Sequence, residues 1–263
     1  MMEQPSIPFH SSLPMIGCAG WSIASSQHVH FPATGSHLER YAAVLPAVEI
    51  NTSFYRPHRP ETYRRWRDSV PDAFRFSVKM PRTITHEQRL RDTDALLCRF
   101  LHEAGELGNK LGCLLVQLPP SLRFTADDAG AFFRNLTAHT DIPVVCEARH
   151  RSWFAQDAAE LLTAIGISQV IADPAVAQSA LDGGSAQTVY VRLHGSPQIY
   201  HSSYPGEFLD RLEGKLRQYQ EEGRTAWCIF DNTASGAAMP NALSLLARFD
   251  ERRMPGPNRF GLD

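Results

Sequence analysis

The chain has 263 residues, 43% hydrophobic and 21% charged, the proportions of a globular protein long enough to bury a large core. Its formal net charge of −2 provides no broad basic field, so a nucleic acid is not the favoured partner. No apolar run approaches the ~18 residues of a membrane span, and the start lacks the basic and apolar segments of a secretory signal.

Five cysteines, Cys18, Cys98, Cys113, Cys146 and Cys228, form no CxxC pair. An odd count scattered among apolar neighbours reads as reduced thiols in a cytoplasmic protein. Residues 1–14 read as a loose N-terminal tail and residues 251–263 as a loose C-terminal one, with one domain between them at 15–250.

Residues 15–21 form a short apolar strand ending in Gly17-Cys-Ala-Gly-Trp21. Leu38, Tyr41, Ala42 and Leu45 have helical spacing, with Pro46 as the stop. Residues 47–50 are the second strand. Val48 and Ile50 face one way, while Glu49 and Asn51 share the other side. A carboxylate there is paired or has work to do. The segment runs on into an aromatic and cationic lip, Phe54, Tyr55 and Arg56. A helix over 60–70 starts with Pro60 in its first turn. Residues 74–80 alternate as the third strand, with Lys79 at its end.

Residues 92–107 are an amphipathic helix and 111–118 the fourth strand, ending at Gln117. Residues 126–138 are helical, with Asp127 and Asp128 where the helix dipole favours them. The fifth strand, 142–147, ends at Glu147 and leads to Arg149. A helix over 157–165 is closed by Gly166. The sixth strand, 168–172, ends at Asp173. The connection 175–187 contains Gly183 and Gly184 and is too short for a good crossover helix. Arg192 and His194 end the seventh strand, 188–193. A charged helix over 208–222 precedes the eighth strand, 226–230, which ends at Asn232. The last helix covers 239–249.

Strands alternating with helices point to a parallel sheet with crossover helices. Eight such repeats in ~250 residues point to an α/β fold, a single (β/α)8 TIM-type barrel of eight parallel strands with a short or degenerate sixth crossover. A doubly wound open sheet is the other architecture, but Gly17-Cys-Ala-Gly20 does not match its GxGxxG turn.

In such a barrel all the strand carboxyl ends open on one face. There Glu49, Glu147, Asp173 and His194 are the candidate catalytic residues, suited to acid–base chemistry. Asn51, Tyr55, Lys79, Gln117, Arg149, Arg192 and Asn232 are the candidate substrate-binding residues. The two arginines and Lys79 suit an anion such as a phosphate or carboxylate. Trp21, Trp153, Tyr200 and Tyr204 join Tyr55 as aromatics in loops on that mouth. The expected partner is a small anionic or polyol molecule, a sugar or sugar phosphate. No cofactor is expected. The alternative is a divalent metal held by Glu49, Glu147, Asp173 and His194, as in a phosphodiesterase or nuclease. A non-catalytic ligand-binding module is the third reading.

The motifs resemble one family closely, DUF72, also called YecE-like. They are Gly17-Cys-Ala-Gly-Trp21, Val48-Glu-Ile-Asn-Thr-Ser-Phe-Tyr-Arg56, Phe74-Arg-Phe-Ser-Val-Lys-Met-Pro81, Ile84-Thr-His86, Leu115-Val-Gln-Leu-Pro-Pro120, Glu147-Ala-Arg-His-Arg-Ser-Trp153, Ala172-Asp173, Tyr190-Val-Arg-Leu-His-Gly195 and the stretch from Asn232 to Ala242. The resemblance runs from about residue 15 to residue 246. It implies a TIM-type barrel and no particular reaction. Two stretches depart from the pattern. Asp231 stands where the family has a second Asn before Thr233, and the segment between Trp21 and Phe31 diverges.

Overall fold

A computed structural model describes residues 13–177 and 186–251. Most of the two expected tails, and Gly183 and Gly184 in the connection, lie outside the described residues.

The strands are β1 (Met15–Cys18), β2 (Ala47–Ile50), β3 (Arg75–Lys79), β4 (Leu111–Gln117), β5 (Val144–Glu147), β6 (Ser168–Gln169), β7 (Ile171–Asp173), β8 (Thr188–Leu193) and β9 (Thr225–Phe230). The helices are α1 (His37–Ala42), α2 (Pro60–Asp68), α3 (Asp94–Gly105), α4 (Ala126–Ala138), α5 (Gln156–Ile165), α6 (Gly206–Glu221) and α7 (Ala238–Glu251). Local signals explain several ends. Ser36 and Glu39 form a reciprocal capping box at the start of α1. Gly166 ends α5 with φ 81°, a left-handed value that glycine adopts at little cost.

The strands form two parallel sheets, β1-β9-β8-β7 and β2-β3-β4-β5-β6. This corrects the expectation of one eight-stranded sheet. The stretch expected as the sixth strand changes partners halfway. Ser168 and Gln169 pair with β5, whereas Ile171–Asp173 pair with β8. The turnover point, Val170, still donates its N–H to Cys146 O at 2.9 Å.

At the other edge the sheets are stitched by side chain and backbone. Tyr41 Oη accepts from Cys18 N at 2.9 Å and donates to Ala47 O at 2.9 Å, tying β1 to β2. A Cβ at Gly17 would lie 2.0 Å from Ala47 O, so only glycine permits this approach. Beyond Gly17, Ala19 makes a parallel bridge with Glu49.

Both faces of the strands are buried, which explains their near-continuous apolar character. Val48, Ile50, Leu114, Val116, Val191 and Phe230 pack with the helices in the larger core. The alternate residues form a separate inner core, in which Ala47, Leu115, Val145, Tyr190, Trp227 and Ile229 meet. Tyr190 and Trp227 stack there at 5.8 Å. This parity positions the site, because the next residue of the inward series on each strand comes at its carboxyl end.

Candidate functional site: a buried cluster of charges at the strand ends

Two residues beyond inward-facing Ala47, Val145, Tyr190 and Ile229 come Glu49, Glu147, Arg192 and Asp231. The strand period carries all four into one place, where each is buried. Arg192 is the hub. Its Nη2 and Nε donate to the two oxygens of Glu49 at 2.7 and 2.9 Å. Its Nη1 reaches Glu147 Oε2 at 3.2 Å, and Nη2 also lies 3.0 Å from Asp231 Oδ2. Burial works against the guanidinium charge, but Glu49, Asp231 and Glu147 more than restore it. Tyr190 Oη closes the floor, 2.9 Å from Glu49 Oε2 and 2.9 Å from Ser77 Oγ.

His194, fully buried, bridges two carboxylates. Nδ1 lies 2.9 Å from Asp231 Oδ2 and Nε2 lies 2.6 Å from Glu147 Oε1. Arg149 Nη2 approaches the same Nε2 at 2.7 Å and the same Glu147 Oε1 at 2.7 Å. One ring nitrogen cannot donate to Glu147 and accept from Arg149 at once. Gln117 Nε2 fixes the other Glu147 oxygen at 2.8 Å. Burial pushes the Glu147 carboxyl up, but Arg192, the His194 hydrogen bond and Arg149 together hold it well below the usual range. Asp231 is likewise held low by Arg192 and His194 against its burial. Both stay ionised near neutrality.

Lys79 continues the inward series of β3 after Ser77. It is 5% exposed, and its Nζ stands 4.1 Å from the centre of the Phe54 ring. Burial first, and Arg192 second, push its amine down from 10.5 to about 8, against the opposing pull of Glu49, Glu147 and Asp231.

Four of the expected residues, Asp173, Asn232, Asn51 and Tyr55, do not join this cluster. Asp173 Oδ2 accepts from Tyr204 Oη at 2.7 Å. Asn232 has the opposite parity to Asp231, and its Nδ2 donates to Ser202 O at 2.9 Å and to Asn241 Oδ1 at 3.0 Å. Both instead anchor the loop 195–204. That loop sets Tyr200, 44% exposed, edge-on to His194 with ring centres 5.9 Å apart. Tyr200 has φ 69°, a strained value for a side chain of its size. Gly195, φ 95°, makes room, since a Cβ there would lie 2.9 Å from Ser202 O.

Asn51 and Tyr55 line a neighbouring cavity of about 650 Å³ with Trp21, His37, Thr233 and Met239. Asn51 Oδ1 is buried without a hydrogen-bond partner among the described residues. The mouth aromatics divide. Tyr55 is 68% exposed, whereas Trp153 and Tyr204 are buried, Trp153 with Nε1 donating to Leu122 O at 2.9 Å.

The four residues of the alternative metal set are not gathered. A guanidinium lies between Glu49 and Glu147, and Asp173 turns to Tyr204. Among the described residues no group of three His, Cys, Asp or Glu side chains is arranged to hold a metal ion. No helix among them is long and apolar enough to cross a membrane.

Asp231 and Tyr190 enter the site in addition to the expected residues, and Tyr200, expected as an aromatic at the mouth, stands edge-on to His194. Parity was the available signal for the first two, because Trp227, Ile229 and Asp231 form one inward series.

The comparisons agree with this architecture. The "UPF0759 protein YecE" of Escherichia coli O157:H7 is 34% identical over 167 residues, 60% of this chain and 58% of that protein. The chain thus matches less than two thirds of that relative's length. The "UPF0759 protein YunF" of Bacillus subtilis (strain 168) is 25% identical over 272 residues, covering 89% of this chain and 94% of that one. The crystal structure of a DUF72 family protein from Thermotoga maritima MSB8 has a TM-score of 0.76 at 22% identity, covering 89% of this chain and 98% of that one. The family profile described as "Protein of unknown function DUF72" matches residues 15–259. On that match, which takes in every strand and helix of the fold, the chain belongs to the DUF72 family.

Proposed function

We propose that this chain is an enzyme that moves protons on a small anionic or polyol substrate, a sugar or sugar phosphate, at the strand-end cluster. The observation that carries the reading is the contested nitrogen of His194. Its Nε2 faces a carboxylate oxygen at 2.6 Å and a guanidinium nitrogen at 2.7 Å. Glu147 calls for a donor at this nitrogen and Arg149 for an acceptor, and one ring nitrogen can answer only one of them at a time. Glu147 and Asp231, held ionised, orient the imidazole and do not themselves trade protons. Of the four candidate catalytic residues, the proton-moving role thus falls to His194. Arg149, paired with Glu147 through Nη2 but more exposed than Arg192, is the arginine of the cluster that can meet an anionic group.

This reading treats the two sheets as the wall of one closed (β/α)8 barrel of the TIM type. Tyr41 and Gly17 at one seam and Val170 at the other support that closure. It also places the protein in a reducing cytoplasm, in keeping with five free cysteines, four of them buried. A metal-dependent phosphodiesterase has less support, because Arg192 already supplies the cation between Glu49 and Glu147.

The test is hydrogen exchange in D2O. Aldose and ketose monophosphates are incubated with the protein, and the proton on the carbon beside the carbonyl is followed by ¹H NMR. Exchange is expected with the wild type, and His194→Asn should slow it by about 10²–10⁴-fold. No exchange on any member of the panel, or exchange unchanged in His194→Asn, removes the reading.

A further inference from the structure

We propose that Lys79 is a nucleophile whose amine condenses with the carbonyl carbon of a small aldehyde or ketone, forming an imine at the strand-end cluster. This rests on the proton-moving reading of the same site and adds a covalent step to it.

The chain uses lysine sparingly. It has three, Lys79, Lys110 and Lys215, and every other side-chain cation besides histidine is an arginine. Lys110 Nζ is committed to structure, donating to Arg67 O at 2.8 Å and Val70 O at 2.7 Å. Lys215 Nζ donates to Gln218 Oε1 at 3.1 Å. Lys79 differs from both. The residue is buried, yet its Nζ has no hydrogen bond or ion pair among the described residues. It rests against the Phe54 ring alone. An amine set against an aromatic face, with no acceptor of its own, is open to a ligand.

The placement suits an amine more than an ammonium. Arginine cannot give up its proton, and lysine is the cation that can. Desolvation and a neighbouring cation are the two standard means of activating a lysine nucleophile. Both act here, with Arg192 as the cation and an amine brought down to about 8. The charges facing Lys79 are Arg192 and the carboxylates Glu49, Glu147 and Asp231, with His86 across the Phe54 ring. With its amine brought down to about 8, Lys79 yields the neutral nucleophile far more readily than an ordinary lysine does.

The step balances without an oxidant or reductant. The Nζ lone pair forms the C–N bond, and the carbonyl oxygen gains a proton to give a carbinolamine. The C–O bond then breaks as the nitrogen lone pair forms the C=N bond. Oxygen leaves as water, carrying the two hydrogens that nitrogen gave up.

The test is reductive trapping on the full chain. The protein is incubated separately with pyruvate and with dihydroxyacetone phosphate, each with sodium cyanoborohydride, and the adduct is located by peptide mass mapping. At least one probe is expected to label Lys79 on the order of ten-fold more than Lys110 or Lys215. Lys79→Met, verified as folded by circular dichroism and thermal melting, should lose that label and gain none at the other two. Label spread evenly over the three lysines, or absent from Lys79 with both probes, overturns the proposal. The companion exchange experiment separates the two ideas. Exchange without label at Lys79 overturns the imine and leaves the proton chemistry. Label at Lys79 without exchange supports the imine and removes the proton-moving reading.

Discussion

Arg192 grips Glu49 through two parallel hydrogen bonds, Nη2 to Oε1 at 2.7 Å and Nε to Oε2 at 2.9 Å, with both side chains fully buried. Such a fork is strong only because each charge neutralises the other away from water. Arg192 also neutralises Glu147 and Asp231, whereas Glu49 answers to Arg192 and Tyr190. Truncating the arginine should therefore cost more than neutralising the glutamate. In urea unfolding, Arg192→Met is expected to lose about 3–5 kcal/mol, and Glu49→Gln less. Acid adds a sign. Carboxyls held low in the fold contribute stability that is present above their unfolded pKa and lost as pH falls through the folded value. Without Arg192 the folded values of Glu147 and Asp231 rise, so the acid-unfolding midpoint of Arg192→Met should move to higher pH.

The seam between β1 and β2 gives a second prediction. Its strand pairing among the described residues is one parallel bridge, Ala19 to Glu49. A tyrosine hydroxyl supports it, serving Cys18 N and Ala47 O together. Tyr41→Phe leaves both backbone groups unmet and should cost about 1–3 kcal/mol. Gly17→Ala should be worse, about 3 kcal/mol or more, because the clash is with backbone that cannot swing aside. Thermal melts that show either variant unchanged would mean the sheets are held together elsewhere.

Most of the elements could be read from local pattern. The helix expected at 126–138 is α4, and Phe74–Met80 alternation located β3 to within a residue at each end. Glu49 stood out because a carboxylate in an apolar strand needs a partner. Asp231 could have been found by carrying the Trp227, Ile229 parity one step further, but the adjacent amide, Asn232, has the same chemistry as a binding residue. The change of partners at Val170 has no local signature, since it depends on where two sheets meet. The same holds for Tyr200, whose place over His194 depends on Tyr204, Asn232 and Asn241 in distant segments.

Asp173 supports that loop through the Tyr204 hydroxyl, which also accepts from Gly195 N at 2.8 Å. Asp173→Ala should release the loop and leave the charge cluster intact. Limited chymotrypsin digestion is expected to cut after Tyr200 several times faster, with Asp173→Asn partly restoring protection. Global stability should fall by about 1–3 kcal/mol. Unchanged digestion would show that Asn241 and Asn232 hold the loop without Asp173.

Asp231 raises the affinity of Lys79 for its proton. Asp231→Asn removes one negative charge from a cluster whose carboxylates call for a third cation. Lys79 should then titrate below its present value of about 8. The pH dependence of reductive trapping at Lys79 is therefore expected to shift to lower pH in Asp231→Asn. A shift to higher pH, or none, would show that the two side chains do not sense each other.

Lys79 itself makes the sharpest distinction between a working amine and a structural ion pair. Its folded value, about 8, lies below the ordinary 10.5. Between those two values the unfolded chain binds more protons than the folded one, so this group's contribution to stability rises with pH. Below about 8 the fold carries the full penalty of a buried ammonium. At ~1.4 kcal/mol per unit the shift corresponds to about 3 kcal/mol. Attraction to the Phe54 face offsets about 0.5–2 kcal/mol of that. Lys79→Met removes the penalty and keeps a chain of similar length. At pH 7 it should melt a few degrees above the wild type, in line with a net gain of about 1–3 kcal/mol. The gap should narrow as pH rises toward 10.5. A lysine held by its neighbours as an ion pair would give the opposite sign, with Lys79→Met melting below the wild type.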